Sequence, residues 1–177
     1  NIEFDLTGID AIVAGIDVNA ADFVMRNCRV IMSDSGGQAV LGILTDAAAD
    51  RMLIEDCIFE GSTDAGPAAC IRLVGCDRTI IRRCKMYGDY SVGNISVLTT
   101  AITNALIEHN DLDNLNAVDV NFEGLAASTG SLRFNTCRNA TDAQITWLNT
   151  LGAMQLFENY GVNNDAETGL LIGTASA

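Results

Sequence analysis

Proline occurs once in these 177 residues, histidine once, and aromatic residues make up only 6% of the chain. A single histidine leaves the usual Cys/His zinc arrangements short of ligands, and none of the six cysteines belongs to a CxxC pair. RTX-type calcium nonapeptides are absent too. Apolar runs stop after a few residues, so no segment reads as a membrane-spanning helix. No basic stretch followed by an apolar one marks a signal peptide, and the chain opens at Asn1 without a methionine, which points to a processed or truncated product. Cations are scarce: 10 Lys and Arg against 23 Asp and Glu give a formal charge of −13. Such a surface repels nucleic acid and anionic membranes, so neither is expected as a partner.

What the chain does have is hydrophobic residues (49%), sixteen glycines and a periodic pattern. One domain with a sizeable core is expected, built from short strands and tight turns. Residues 53–61 read LIEDCIFEG and residues 80–88 read IIRRCKMYG. Anchored on the central cysteine, the phrase recurs at Cys28, Cys57, Cys84, Asn110, Cys137 and Asn159, with steps of 29, 27, 26, 27 and 22 residues. Three residues before each anchor stand Met25, Ile54, Ile81, Ile107, Phe134 and Leu156, all apolar. Two residues before it stand Arg26, Glu55, Arg82, Glu108, Asn135 and Phe157. Alternation with period two on both sides of a fixed corner describes two short strands joined by a bend.

A third strand per repeat is read upstream, in the triplets Leu41-Gly42-Ile43, Ile71-Arg72-Leu73, Ile95-Ser96-Val97, Val118-Asp119-Val120 and Ile145-Thr146-Trp147. Residues 9–18 supply an early copy and residues 170–172 a last, imperfect one. Three short strands per repeat of about 25 residues predict a parallel β-solenoid, since stacked rungs bury what one rung cannot. The expectation is an all-β fold: a right-handed single-stranded parallel β-helix of about six to seven turns over residues 1–165, with residues 166–177 as a C-terminal cap or tail.

On this pattern, over residues 10–162, the sequence resembles the right-handed parallel β-helix proteins of the pectate-lyase-like superfamily. The resemblance implies a stacked inward asparagine at the bend between second and third strands. Asn110 and Asn159 match it, and Cys28, Cys57, Cys84 and Cys137 are read as small fillers of the same structural ladder. Buried free thiols are preferred to disulfides between turns: the rung spacing suits a bridge, but three consecutive cysteines cannot all pair with one another.

Equal offsets stack into columns. Arg26, Glu55, Arg82 and Glu108 alternate in sign and are expected to pair along one face. Leu44, Val74, Leu98 and Leu148 are read as an outward apolar stripe on the first-strand face and therefore as an oligomer interface, with Asn121 its polar exception. Asp22, Asp50, Asp77 and Asn104 are read as turn caps, with no metal and no cofactor expected.

Many proteins of the resembling superfamily cleave polysaccharides. Their paired-aspartate and GHG signatures are missing, the lone Pro67 is not in an RxPxxR context, and Trp147 fits an inward position. The alternative glycan site is Asp46, Asp119 and Arg72. Catalysis is not expected. The closing segment ENYGVNNDAETGLLIGTASA, the short repeat array and the unpaired cysteines are similar in style to phage virion-surface β-helix proteins. The resemblance implies a bacteriophage capsid decoration (cement) protein at the virion surface. Its expected form is a homotrimer contacting the major capsid protein or another virion protein, with a tailspike-like polysaccharide-binding or polysaccharide-cleaving module as the alternative.

Overall fold

The computed structural model is a parallel β-solenoid with three sheets and three strands per turn. It describes residues 2–9, 12–32, 40–61, 63, 67–116, 120–139, 144–148, 153–163, 167–171 and 174–176. Sheet I stacks β2 (Ala14–Val18), β5 (Leu41–Thr45), β8 (Ala69–Arg72), β11 (Gly93–Ser96), β14 (Val120–Leu125), β17 (Gln144–Leu148) and β21 (Thr174–Ser176). Sheet II stacks β3 (Val24–Arg26), β6 (Leu53–Glu55), β9 (Ile80–Arg82), β12 (Ala105–Glu108), β15 (Thr129–Arg133) and β18 (Ala153–Phe157). Sheet III stacks β1 (Ile2–Asp5), β4 (Cys28–Ile31), β7 (Ile58–Glu60), β10 (Lys85–Gly88), β13 (Asp111–Asn114), β16 (Thr136–Asn139) and β19 (Asn159–Asn163), then β20 (Glu167–Leu171). There are about five turns rather than six to seven. The expected last copy at residues 170–172 is not a further rung, because β20 turns back and pairs antiparallel with β19.

Three inward columns fill the coil. Sheet I contributes Ile43, Ile71, Ile95, Phe122 and Ile145; sheet II contributes Met25, Ile54, Ile81, Ile107 and Leu132; sheet III contributes Val30, Phe59, Met86, Leu112 and Cys137. All are buried, and each is aliphatic, aromatic or sulfur-bearing, so apolar side chain meets apolar side chain from rung to rung at about 4.8 Å.

The bend from sheet II to sheet III takes one residue per turn. Asn27, Asp56, Arg83, His109, Phe134 and Glu158 all hold φ between 44° and 56° there. A left-handed conformation costs a non-glycine residue about 1–2 kcal/mol, and the next position offsets it. Asn110 Nδ2 donates to Ile81 O at 3.0 Å and to Asn135 Oδ1 at 3.0 Å, while its Oδ1 accepts from Cys84 N at 2.9 Å. Asn135 repeats this with Ile107 O and Asn159 Oδ1, and its Oδ1 accepts from Asn110 N. Asn159 Nδ2 donates to Leu132 O at 2.8 Å. Each amide thus satisfies buried backbone groups one rung below.

In the lower turns Cys28, Cys57 and Cys84 follow the left-handed residue, and each thiol donates to the carbonyl two residues earlier, at 3.2, 3.2 and 3.4 Å. Cys137 does not follow one. Leu112 pairs with Cys137, which puts the cysteine in the apolar column of sheet III and gives the fifth place in the ladder to Asn135. A two-residue slip keeps every side chain on its face, so alternation alone could not tell the two positions apart. With Asn135 as anchor, Arg133 takes the outward charge position and Phe134 moves from the core to the left-handed bend.

Replacing Asn135 by alanine strands Asn110 N–H, its side-chain amide and Ile107 O, so a loss of about 3 kcal/mol or more is expected in urea unfolding. Cys137→Ala removes one buried sulfur and is expected to cost on the order of 1 kcal/mol. A larger loss for Cys137→Ala would return the ladder to that position.

Candidate interaction faces

Sheet I carries most of the residues singled out from the sequence, and register rearranges them. Its outward column is Asp17, Leu44, Arg72, Ser96, Glu123 and Thr146. Leu44 therefore sits between Asp17 and Arg72 rather than beside Val74, because the triplet of its turn is Ile43-Leu44-Thr45, two residues on from the one expected. Val74 and Leu98 lie beyond the ends of β8 and β11 and are half-buried. Asn121 is fully buried and points inward, donating to Asn94 Oδ1, Leu112 O and Arg138 O. The side chains of Trp147 and Leu148 lie outside the described residues. The four aliphatics expected as an interface do not form one stripe.

The alternative glycan site fares similarly. Asp46 is exposed, and its Oδ1 accepts Ala48 N at 2.7 Å, so the carboxylate is engaged in its own turn. Asp119 lies outside the described residues. Arg72 is half-buried, with Nε 3.4 Å from Ser96 Oγ. The acid that shares its column is Glu123, which sequence reading missed because it centred that turn four residues too early, on Asp119. Burial raises the Glu123 carboxyl and lowers the Arg72 guanidinium, each opposed by the other's charge. No second carboxylate shares their column between Arg72 and Glu123, where Ser96 stands.

The thiols offer little nucleophile. Burial pushes Cys137 up to about 12 and Cys70 higher still. The neighbouring Cys57 and Cys84 thiols act on each other, which holds Cys57 down to about 7 and Cys84 up, but both are buried away from any reagent. Five of the six are buried and Cys28 is half-buried, with no disulfide among them. A thiol reagent under native conditions is therefore expected to label Cys28 first by peptide mass spectrometry; equal labelling of all six would contradict this burial.

Sheet II is where outward side chains organise. Arg26, Glu55, Arg82, Glu108 and Arg133 follow one another up the sheet with alternating sign. Glu55 pairs with Arg26, with Arg82 at 2.7 Å and with Arg83 at 2.9 Å, and Glu108 pairs with Arg133 at 2.8 Å. On the other flank, Asp22, Arg51, Arg78 and Asn104 all take a left-handed φ between 52° and 63°. The expected caps act between rungs: Asp22 receives Arg51 in a bidentate pair at 2.7 Å, Asp50 accepts Asp77 N, and Asp77 accepts Thr103 Oγ1 and Asn104 Nδ2. Among the described residues no three His, Cys, Asp or Glu side chains are placed to share a metal ion.

Between these flanks runs a column that sequence reading passed over: Val24, Leu53, Ile80 and Leu106, then Ser131 and Gln155. Val24 is 54% exposed and the next three are half-buried. The signal was present in the phrases, since the residue before each core Met25, Ile54, Ile81 and Ile107 is aliphatic. At the adjoining bend His109 stacks on Phe134 with ring centroids 5.1 Å apart, and Arg133 lies over the same ring.

Compared with family models, curated proteins and solved structures, the chain matches none.

Ion pairing lowers the carboxyls of Glu55, Asp56 and Asp22, mainly through hydrogen bonds from Arg82, Arg83 and Arg51 respectively. Acids with depressed folded values stabilise the fold above their unfolded values, near 4, and lose that contribution as pH falls through the folded ones. The urea midpoint should hold from pH 7 to about 5 and fall below about 4. Glu55→Gln should flatten that acid limb; an unchanged limb would place the acid sensitivity elsewhere.

Proposed function

We propose that this solenoid is a non-catalytic structural protein of a virus particle: a decoration protein that lies on a bacteriophage shell and contacts its own copies and the major capsid protein or another virion protein. The observation that carries the reading is the aliphatic column of sheet II, open on its outer side and held between two ion-paired flanks. That is the anatomy of an association surface, an apolar centre within a polar rim. The resemblance to phage virion-surface β-helices supports it, as does the acidic charge, which keeps separate molecules soluble until a complementary surface is met. A homotrimer was expected from a stripe on sheet I; with that stripe broken by register, self-association is assigned to sheet II.

The polysaccharide reading retains Arg72 and Glu123, two rungs apart on sheet I with the small Ser96 between them. A guanidinium and a carboxyl suit contact with an acidic sugar better than hydrolysis, which needs two carboxyls at a set separation.

Detection of the protein in gradient-purified phage particles separates the readings. Co-migration with shells, and no release of reducing ends from acidic polysaccharides, is the expected result. A protein confined to particle-free fractions overturns the decoration reading, and glycan turnover that disappears in Glu123→Gln establishes the other.

A further inference from the structure

We propose that sheet II is self-complementary and takes a second copy of this chain in antiparallel orientation, about a two-fold axis running along the strands between β6 and β9. This rests on the reading of the protein as a self-associating structural solenoid, and names the surface and geometry of that association.

The geometry follows from the columns. A two-fold axis lying in the interface along the strand direction leaves each column facing its own copy, run in the opposite sense. The aliphatic column covers itself best when its middle is the axis: Val24 then meets Leu106 of the second copy, and Leu53 meets Ile80. That placement also decides the charges. Because the flank alternates at every rung, an axis through a rung would set like on like, whereas an axis between rungs sets opposite on opposite. With the axis between β6 and β9, Arg26 faces Glu108 of the second copy and Glu55 faces Arg82. Greatest apolar overlap and charge complementarity thus select the same axis from independent columns.

The bend column agrees. Asp56 comes opposite Arg83 of the second copy, and Asn27 opposite His109. The far flank sets Arg51 against Arg78 of the second copy, a like-charge contact moderated because each already holds an acid of its own, Asp22 and Asp77. Parallel copies, related by an axis along the solenoid, also set Arg26 against Asp22 and Glu55 against Arg51, but they bring Arg82 onto Arg78, leave Glu108 over Asn104 and take the Asp56–Arg83 contact away.

An isologous contact of this kind closes as a dimer. Four overlapping rungs at about 4.8 Å, across five residue steps of about 3.3 Å, give a patch of roughly 19 by 17 Å. That is about 300 Å² of each copy in projection, roughly 600 Å² for the pair and smaller than the ~1,200 Å² of standard specific interfaces, so a weak, reversible, concentration-dependent dimer is expected.

Sedimentation velocity over a range of concentrations tests the association, and pulsed dipolar spectroscopy tests its geometry. A single spin label at Gln155→Cys, in a Cys28→Ser background, lies outside the overlap. Antiparallel copies place the two labels roughly 35 Å apart, from seven rung spacings and a sheet separation of about 10 Å, and parallel copies place them under about 20 Å. The expected result is a monomer–dimer equilibrium with the longer distance. Ile80→Asp should weaken it at least tenfold while circular dichroism stays unchanged, and the milder Ile80→Ser serves if the aspartate variant fails to fold. A monomer at every concentration, a dimer indifferent to both substitutions, the short distance, or a three-copy mass would each overturn the proposal. None of those results bears on co-migration with particles, so the decoration reading stands or falls separately.

Discussion

A chain that turns a corner on one left-handed residue carries its carbonyls and amides into the coil, where no water meets them. Every other feature of this solenoid depends on how those groups are satisfied. In the upper rungs the answer is an asparagine amide that binds backbone below and the next amide above, so no rung is complete alone. In the lower rungs the same site holds a cysteine, whose thiol donates to the carbonyl two residues back and makes only a long contact, 3.8 Å, to the rung beneath. The bend fixes register, register fixes the columns, and the columns decide what each face shows to solvent.

The fold was legible in the sequence because burial and stacking act on every repeat alike. Ile54, Ile81 and Ile107 declare the core of sheet II, and Arg26, Glu55, Arg82 and Glu108 declare its charged flank. What could not be read was alignment between rungs wherever the error was even. Placing Cys137 in the ladder, centring one triplet on Gly42 and another on Asp119 are slips of two, two and four residues. Each leaves the alternation of faces intact while changing which side chains touch. The ladder lost Asn135 that way, sheet I gained an apolar stripe it does not have, and Glu123 stayed hidden. Only hydrogen-bond pairing between strands, which composition does not encode, separates such alternatives.

Column formation also changes what a surface residue means. On an ordinary sheet an outward valine is unremarkable; here the residue at one offset is repeated up the face, so a modest preference at each rung adds up to an extended feature. Sheet II takes this furthest. Its charges are largely neutralised within the chain, since Glu55 has three arginines and Glu108 one. The flanks are thereby held in place while the aliphatics between them stay outside the core. Sheet I spends the same outward positions on an acid, a leucine, an arginine, a serine, a glutamate and a threonine, and acquires no common character.

The exchange of cysteine for asparagine part-way along the ladder gives the coil a mechanical polarity. A stack of rungs comes apart where neighbouring rungs are least coupled, and a thiol at 3.8 Å grips the rung below far less than an amide at 3.0 Å. In the corner column, therefore, rungs are coupled more tightly above Cys84 than below it, and the lower rungs rely instead on the arginine–carboxylate pairs that join them along sheet II.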